Sequence, residues 1–230
     1  MRSSSFIVRH RNGPGRATAY DGSPAGPITS PSVKIVVAAL KGGVGKTTTC
    51  VYLAALASAA GREVVLVDAD AQASAADWLE TSADPALEAV ELVEAPTERM
   101  LAKAMNAADD DHVVIVDSPP GNERIIGHAL EHAHVVVIPT RVGGVEWPRV
   151  DVVRKMVPRR VPSGLVICSA RTFTRDYTET LQYWVDQGVE VWGTIPERVA
   201  IASGPDQRLA PDGVEAYRPL WRRITRKALA

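Results

Sequence analysis

The stretch from Lys41 to Thr49 reads KGGVGKTTT and contains the residue types that bind phosphate. It nearly reproduces the pattern G-x-x-x-x-G-K-[ST], in which glycines allow backbone N–H groups to turn inward around an anion. Lys46 would supply a positive charge for the β- and γ-phosphates, and the Thr47 hydroxyl is the expected Mg²⁺ ligand. The apolar run VKIVVAAL before the loop and the run CVYLAALASAA after it predict the strand and helix that such a loop needs.

Three aspartates follow predicted buried strands and add hydrolytic chemistry to the phosphate loop. Asp68 and Asp70 end the run EVVLVDAD at alternating positions, so their side chains lean to one side. Asp117 lies near the end of the run HVVIVDS, where a buried strand would place one carboxylate next to Mg²⁺. Phosphoryl transfer to water depends on positioning and charge neutralisation, for which Lys46, Thr47, Asp70 and Asp117 form a sufficient set. The sequence therefore predicts Mg²⁺-dependent transfer of a phosphoryl group to water.

Lys41 is unusual because an ordinary phosphate loop needs no lysine at its first position. With it, KGGVGKTT resembles the deviant Walker A motif of the ParA/MinD family of ATPases. In that family the first lysine reaches across a dimer interface to the partner's nucleotide, although a solvated lysine at a strand end is an alternative interpretation. The nucleotide-binding residues that the resemblance implies are Lys41, Gly42, Gly43, Val44, Gly45, Lys46, Thr47 and Thr48.

Two further motifs carry the same resemblance. The run DADAQ is similar to the family's DxDPQ signature, with Ala71 where proline is common. It implies that Asp70 positions the hydrolytic water and that Asp68 organises the Mg²⁺ shell. The run SPPG after Asp117 resembles the switch II segment, often TPPG. The implied catalytic residues are Lys41, Lys46 and Asp70, and the implied metal-site residues are Thr47, Asp68 and Asp117.

The elements that position these residues alternate between strand and helix along the chain. Apolar strand-like runs recur from residue 33 to about residue 195, and helix-like runs separate them. This alternation predicts an α/β fold with a doubly wound, mainly parallel sheet and helices on both faces, as in P-loop NTPases. We expect one ATPase domain over residues 32–230. Residues 1–31 are rich in Gly, Pro, Ser and Arg and predict a disordered tail.

Composition limits the class of protein. The net charge of −1 over 230 residues does not indicate a globally basic nucleic-acid binder, although a local basic patch is still allowed. Only Cys50 and Cys168 are present and they lie far apart, which argues against a disulfide framework or a CxxC metal site. No apolar run approaches the length of a membrane span, and the N-terminus lacks a signal-peptide pattern. We expect a cytoplasmic protein.

The C-terminal run EAYRPLWRRITRKAL, residues 215–229, predicts an amphipathic helix with an apolar stripe and a basic face. Packing of the stripe on the core is the simplest interpretation. The basic face would bind DNA phosphates nonspecifically in a ParA-like protein, or a lipid surface in a MinD-like one. The predicted DNA-binding residues are Arg218, Arg222, Arg223, Arg226 and Lys227.

Two other features have weaker signals. His128 and His132 are four residues apart on a predicted helix, but the sequence shows no acidic or sulfur ligand obviously placed with them, so we expect a surface pair and not a metal site. The resemblance places adenine contacts near Arg171 and Thr172 and in the run GTIPERVAIASG, without identifying single side chains.

The resemblance implies a small partition ATPase of the ParA type, which binds ATP and Mg²⁺ and dimerises on ATP binding. It also implies nonspecific DNA binding, nucleoid association and slow hydrolysis that a centromere-binding adaptor stimulates, either ParB-like or a small DNA-binding protein. A MinD-like membrane-associated positioning ATPase is the alternative, without stable membrane insertion. An iron–sulfur carrier of the same fold is disfavoured because no CxxC pair is present, and a synthetase is disfavoured by Lys41.

Overall fold

Seven parallel strands form the centre of the computed structural model, which describes residues 8–9, 32–107, 111–202 and 208–228. An eighth, two-residue strand pairs antiparallel with one edge of the sheet. Most strands are runs of Val, Ile and Leu buried on both faces, as parallel strands require. In chain order they are β1 (Val8–Arg9), β2 (Val33–Val37), β3 (Val64–Asp68), β4 (Glu91–Glu94), β5 (Val113–Asp117), β6 (Val135–Arg141), β7 (Ser163–Ala170) and β8 (Val191–Pro196).

Helices cover both faces of this sheet, so the predicted doubly wound α/β fold is confirmed. Alternate strand residues point into two separate cores, one beneath α1, α2 and α8 and the other beneath α3 to α6. The helices are α1 (Lys46–Ala59), α2 (Ser74–Thr81), α3 (Glu98–Ala107), α4 (Glu123–Glu131), α5 (Trp147–Met156), α6 (Arg175–Asp186), α7 (Val199–Ala202) and α8 (Pro211–Ala228).

Strand order places the phosphate loop at the middle of the sheet. The order is β1-β4-β3-β5-β2-β6-β7-β8, so β2 lies between β5 and β6 and the connections reverse direction there. Ligands of open α/β sheets bind at the carboxyl ends of the strands beside such a reversal. Asp117 is in register with both Val37 and Asp68, which brings three strand ends to one edge.

Local sequence signals explain several element boundaries. Pro148 lies in the first turn of α5, where the N–H group that proline lacks would have no helical partner. Helix α8 begins at Pro211, earlier than the predicted start at residue 215. Within the described ranges, no helix combines the length and apolar character needed to cross a membrane.

The predicted disordered tail, residues 1–31, lies outside the described residues except at β1. There Val8 is opposite Val93 and Arg9 is opposite Leu92, so this dipeptide extends the sheet by one short antiparallel strand. Disorder of the remaining tail stays a prediction.

Candidate functional site

The loop between β2 and α1 has the backbone shape of an anion cradle. Gly43 and Gly45 have φ values of 71° and 96°, in the left-handed region that favours glycine. Gly45 is the N-cap of α1 and makes no side-chain capping bond, so the first N–H groups of this helix face the loop. A Cβ atom at Gly45 would lie 3.2 Å from the Cys168 sulfur, so space as well as backbone conformation favours glycine here.

Lys46, the first residue of α1, is buried at the bottom of the loop. Its Nζ atom donates a hydrogen bond to the Lys41 carbonyl at 3.0 Å. Burial lowers the pKa of Lys46, and the nearby carboxylates of Asp117 and Asp70 oppose that shift. An anion in the cradle would offset the cost of burying this charge.

Thr47 and Asp117 meet directly beneath the loop. The Thr47 hydroxyl donates to Asp117 Oδ2 at 2.7 Å, while Asp117 Oδ1 is buried with no hydrogen-bond partner among the described residues. Burial raises the pKa of Asp117 to about 7; the Thr47 hydrogen bond opposes this, and the neighbouring Asp68 adds to it. A hydroxyl beside an unpaired buried carboxylate oxygen is a donor set that fits Mg²⁺.

Asp68 and Asp70 have different surroundings although both follow β3. Asp68 is buried, its Oδ1 accepts from the Asp70 N–H at 3.0 Å, and its Oδ2 accepts from the N–H groups of Ala75 and Ala76 at 2.9 and 3.1 Å. It therefore holds the first turn of α2 and the Asp70 backbone. These three bonds fix the orientation of its carboxylate, and the predicted place of Asp68 in the Mg²⁺ shell stays a prediction.

Asp70 lines the cleft beside the loop. Its side-chain Oδ1 accepts a hydrogen bond from the Gln72 N–H at 3.0 Å, an Asx turn that fixes the carboxylate at the rim. Ala71, the residue between Asp70 and Gln72 in this turn, is exposed. A carboxylate held at the rim and open to the cleft can orient a water molecule.

Lys41 forms an ion pair with Glu146, which the sequence did not identify as a site residue. Glu146 lies in a short 3-10 turn, Gly144–Glu146, that follows β6. Its side chain is 8% exposed, against 43% for Lys41, so the lysine folds back onto a buried partner on its own chain. The predicted reach of Lys41 into a second subunit would require this pair to separate.

A cleft of about 370 Å³ lies over the loop and extends towards β7, β8 and α8. On the side away from the loop, the lining comes from the ends of three strands, from the connection between β8 and α7, and from two helices. These residues are Arg141, Cys168, Ser169, Ile195, Pro196, Arg198, Ile201 and Tyr217. Arg171, near which the resemblance places adenine contacts, forms an ion pair with Glu197. Ser169 has a φ of 52°, so the backbone turns at this wall of the cleft.

Helix α8 contributes to the cleft through Tyr217, a contact that the sequence pattern did not reveal. The Tyr217 hydroxyl lies 3.2 Å from the Thr49 hydroxyl of α1, and its ring stacks on Tyr52 with centroids 4.8 Å apart. A Cβ atom at Gly213 would come within 2.4 Å of the Tyr52 hydroxyl, so glycine permits the close approach of the two helices. Burial raises the pKa of the neighbouring Cys168 thiol to about 11, which keeps the sulfur neutral.

The five predicted DNA-binding residues of α8 fall into two groups. Arg218 pairs with Glu215 at 2.8 Å, and Arg223 and Lys227 both reach Glu190 at 3.1 Å. The Trp192 indole N–H, Lys227 and Arg223 together lower the pKa of Glu190 to about 2. Arg222 and Arg226 are exposed, one turn apart, and form no ion pair with other described residues.

Comparisons with known proteins agree with this geometry. Residues 35–211 match the family described as CobQ/CobB/MinD/ParA nucleotide binding domain. The chromosome-partitioning ATPase Soj of Thermus thermophilus is 30% identical over 81% of this chain and 93% of its own length.

Two solved structures share the fold. A plasmid partition protein of Borrelia burgdorferi B31 bound to AMPPNP superposes with a TM-score of 0.68, at 21% identity, over 86% of this chain and 99% of that one. The septum site-determining protein MinD of Pyrococcus horikoshii, bound to Mg-ADP, gives 0.68 at 18% identity, over 84% and 96%. The phosphate loop, the buried aspartate and the matched family together place this chain in the CobQ/CobB/MinD/ParA nucleotide-binding family, as a P-loop ATPase of the ParA/MinD type.

Proposed function

We propose that this ATPase acts in DNA partition, as a nucleotide-dependent dimer that binds DNA nonspecifically and is switched by slow hydrolysis. The arrangement of α8 is the observation that favours DNA over a lipid surface as the binding partner. Its apolar side chains Tyr217, Leu220 and Ile224 are buried in the core, while Arg222 and Arg226 are exposed. The name of the Thermus thermophilus relative also supports partition.

In this proposal the phosphate loop binds ATP through the residues predicted from the sequence. The N–H groups around Gly43 and Gly45 and the Lys46 ammonium hold the phosphates, and Thr47 and Asp117 hold the metal. Bound Mg²⁺ would neutralise charge that develops on the phosphate oxygens. Asp70 orients the attacking water from the rim of the cleft, and Asp68 acts indirectly by fixing the Asp70 backbone.

Dimerisation in this proposal is an exchange of partners by Lys41. In one chain Lys41 is paired with Glu146, and in the ATP-bound dimer it would reach the partner's nucleotide. Lys41 gives up its ion pair with Glu146 when it reaches the partner's nucleotide, so only the difference between these two interaction free energies stabilises the dimer. Such a small difference favours a reversible dimer. An adaptor that binds centromere DNA, either ParB-like or a small DNA-binding protein, would then reset the dimer by stimulating hydrolysis.

The variant Glu146→Gln tests this exchange. We expect ATP-dependent dimerisation to become about 25-fold tighter, because the wild-type dimer gives up two such ion pairs, one per chain, each worth about 1 kcal/mol when one partner is partly exposed. Sedimentation velocity with a nonhydrolysable ATP analogue measures the dimer dissociation constant. Lys41→Ala is the matched comparison and should weaken the dimer. Weaker association of Glu146→Gln would instead assign Glu146 to holding Lys41 in its active position.

The variant Arg222→Ala/Arg226→Ala tests the DNA-binding face. We expect weaker DNA binding in the presence of ATP, with the slope of log affinity against log salt reduced by about 2 because two phosphate contacts are lost. Gel shifts at several salt concentrations measure both quantities. The control Arg124→Ala/Arg159→Ala removes the same charge away from α8. Equal behaviour of the two double variants would rule out this face of α8.

A MinD-like membrane role is the alternative that shares the fold. A helix that binds a lipid surface needs a free apolar face, whereas the stripe of α8 packs on α1 and the sheet and Trp221 also contacts this core. Vesicle sedimentation with anionic lipid and ATP, run beside the DNA gel shift, separates the two functions. Lipid binding without DNA binding would overturn the partition proposal.

A further inference from the structure

Three side chains capable of binding metal meet on the last turn of α4, on the surface of the protein. His128, Glu131 and His132 are spaced i, i+3 and i+4, and they place one ligand atom each within 4.8 Å of one another. The sequence alone suggested a histidine pair without an acidic ligand. The fold supplies that ligand, because Glu131 lies on the same side of the helix as both imidazoles.

The His132 ring is already oriented as metal-binding imidazoles are. Its Nδ1 atom lies 2.9 Å from the His128 carbonyl oxygen. Since a carbonyl only accepts hydrogen bonds, Nδ1 must carry the proton, which leaves the lone pair on Nε2. Donation of the other ring N–H to a backbone carbonyl is the arrangement that fixes the tautomer of metal-ligating histidines.

The His128 ring provides an independent observation. Its Nε2 atom is buried and has no hydrogen-bond partner among the described residues. Buried ring nitrogens normally have a partner, and a bound cation would satisfy this one if Nε2 is the unprotonated nitrogen. The Glu131 side chain is exposed, so water can reach a metal held at this corner of the helix.

We propose that His128, Glu131 and His132 bind one divalent ion of the zinc class, with a fourth coordination position occupied by water. Two imidazoles and one carboxylate are a known zinc donor set. Bonds of about 2.0–2.1 Å to the ion require ligand atoms about 3.3 Å apart, so small rotations of the three side chains complete the site. Hard cations such as Mg²⁺ prefer oxygen ligands, so we expect a site with two imidazole nitrogens to bind them more weakly than Zn²⁺.

This site is separate from the nucleotide cleft. Helix α4 starts after the carboxyl end of β5, where the cleft lies, and ends just before β6 begins, at the opposite edge of the sheet. Its length of nine residues corresponds to about 14 Å. The ion would tie the last turn of α4 together, where the Arg160 guanidinium also donates to the Glu131 carbonyl at 3.0 Å.

A second acidic cluster around His112 serves as a comparison. There each ring nitrogen already lies 3.2 Å from a carboxylate oxygen, of Glu63 or of Asp111. The His112 Nδ1 atom is also buried without a hydrogen bond among the described residues, but this cluster offers one imidazole where the α4 cluster offers two, and zinc favours nitrogen ligands. His112 therefore provides a control for histidine-dependent binding elsewhere on the chain.

The test is a Zn²⁺ titration of the full-length, metal-free protein against a chromophoric chelator, with excess Mg²⁺ present to occupy the Thr47–Asp117 site. We expect one Zn²⁺ per chain for the wild type, and at least tenfold weaker binding for Glu131→Gln and for His132→Gln. Glu123→Gln, the same change on the same helix outside the cluster, and His112→Gln should bind as the wild type does.

Thermal unfolding gives a second readout that does not depend on ATPase activity. In the same excess of Mg²⁺, the unfolding midpoint should rise with Zn²⁺, and the rise should disappear in His132→Gln, whose metal-free midpoint also checks that it folds. Absence of stoichiometric Zn²⁺ binding by the wild type would overturn the proposal. Wild-type affinity in both cluster variants, or loss of binding only in His112→Gln, would also overturn it.

Discussion

Replacement of Lys46 by alanine is expected to abolish nucleotide binding at working concentrations, with an affinity loss of about thirtyfold or more. Removal of one partner from a buried, hydrogen-bonded charge pair costs about 2–5 kcal/mol. In the ATP complex that we propose, the charge pair joins the Lys46 ammonium and the nucleotide phosphates. Lys46 meets this condition, because its ammonium is buried beneath the loop, where it also donates to the Lys41 carbonyl. Titration with a fluorescent ATP analogue measures the loss directly.

The control for this experiment is Lys155→Ala, which removes the same charge from an exposed position on α5. Its nucleotide affinity should equal that of the wild type. The Lys46→Ala protein should also remain folded by circular dichroism, since alanine is a strong helix former and the burial cost of the ammonium is lost. A folded Lys46→Ala protein that still binds ATP with wild-type affinity would disprove the assignment of the loop.

Asp70→Ala is expected to separate nucleotide binding from hydrolysis. We expect ATP affinity to be retained and steady-state hydrolysis to fall about 100-fold, the lower range for loss of a group that positions or activates water. The ATP-bound dimer should therefore accumulate. The physical reason is that Asp70 lines the cleft, whereas the proposed metal ligands Thr47 and Asp117 bond to each other and do not depend on it. Phosphate release and sedimentation velocity measure the two effects.

Asp77→Ala provides a matched control, because Asp77 is an exposed aspartate in the first turn of α2. It should hydrolyse ATP at the wild-type rate. Normal hydrolysis by Asp70→Ala would show that another group positions the water. Loss of ATP binding instead would mean that Asp70 supports the loop, for example through its electrostatic effect on Lys46.

The strands and the phosphate loop were predictable because their signals are local. The strand before the loop reads VKIVV and the strand that ends at Asp117 reads VVIVD; most of their residues are apolar and β-branched, which is typical of strands buried on both faces. Capping residues marked helix starts as well: Asn122 accepts the Ile125 N–H, and Thr174 accepts the Tyr177 N–H. Each of these signals lies within a few residues of the element that it predicts.

The contacts that define the cleft were not predictable, because they join distant parts of the chain. Glu146 reaches Lys41 across 105 positions, and Tyr217 reaches Thr49 across 168. No local pattern distinguishes Glu146 from other glutamates on turns. Asp68 illustrates a different difficulty, since the sequence does not show that this strand-end carboxylate accepts the backbone N–H groups of Ala75 and Ala76.

Helices α1 and α8 pack closely against each other, which limits what can be learned from a C-terminal truncation of this protein. Removal of α8 would expose the buried rings and backbone of α1 and would take away Tyr217, which lines the cleft. A truncated protein that failed to bind DNA would therefore also be damaged in nucleotide binding. Only point substitutions on the outer face of α8 can assign its function, because the C-terminal helix is part of the ATPase and not a detachable tail.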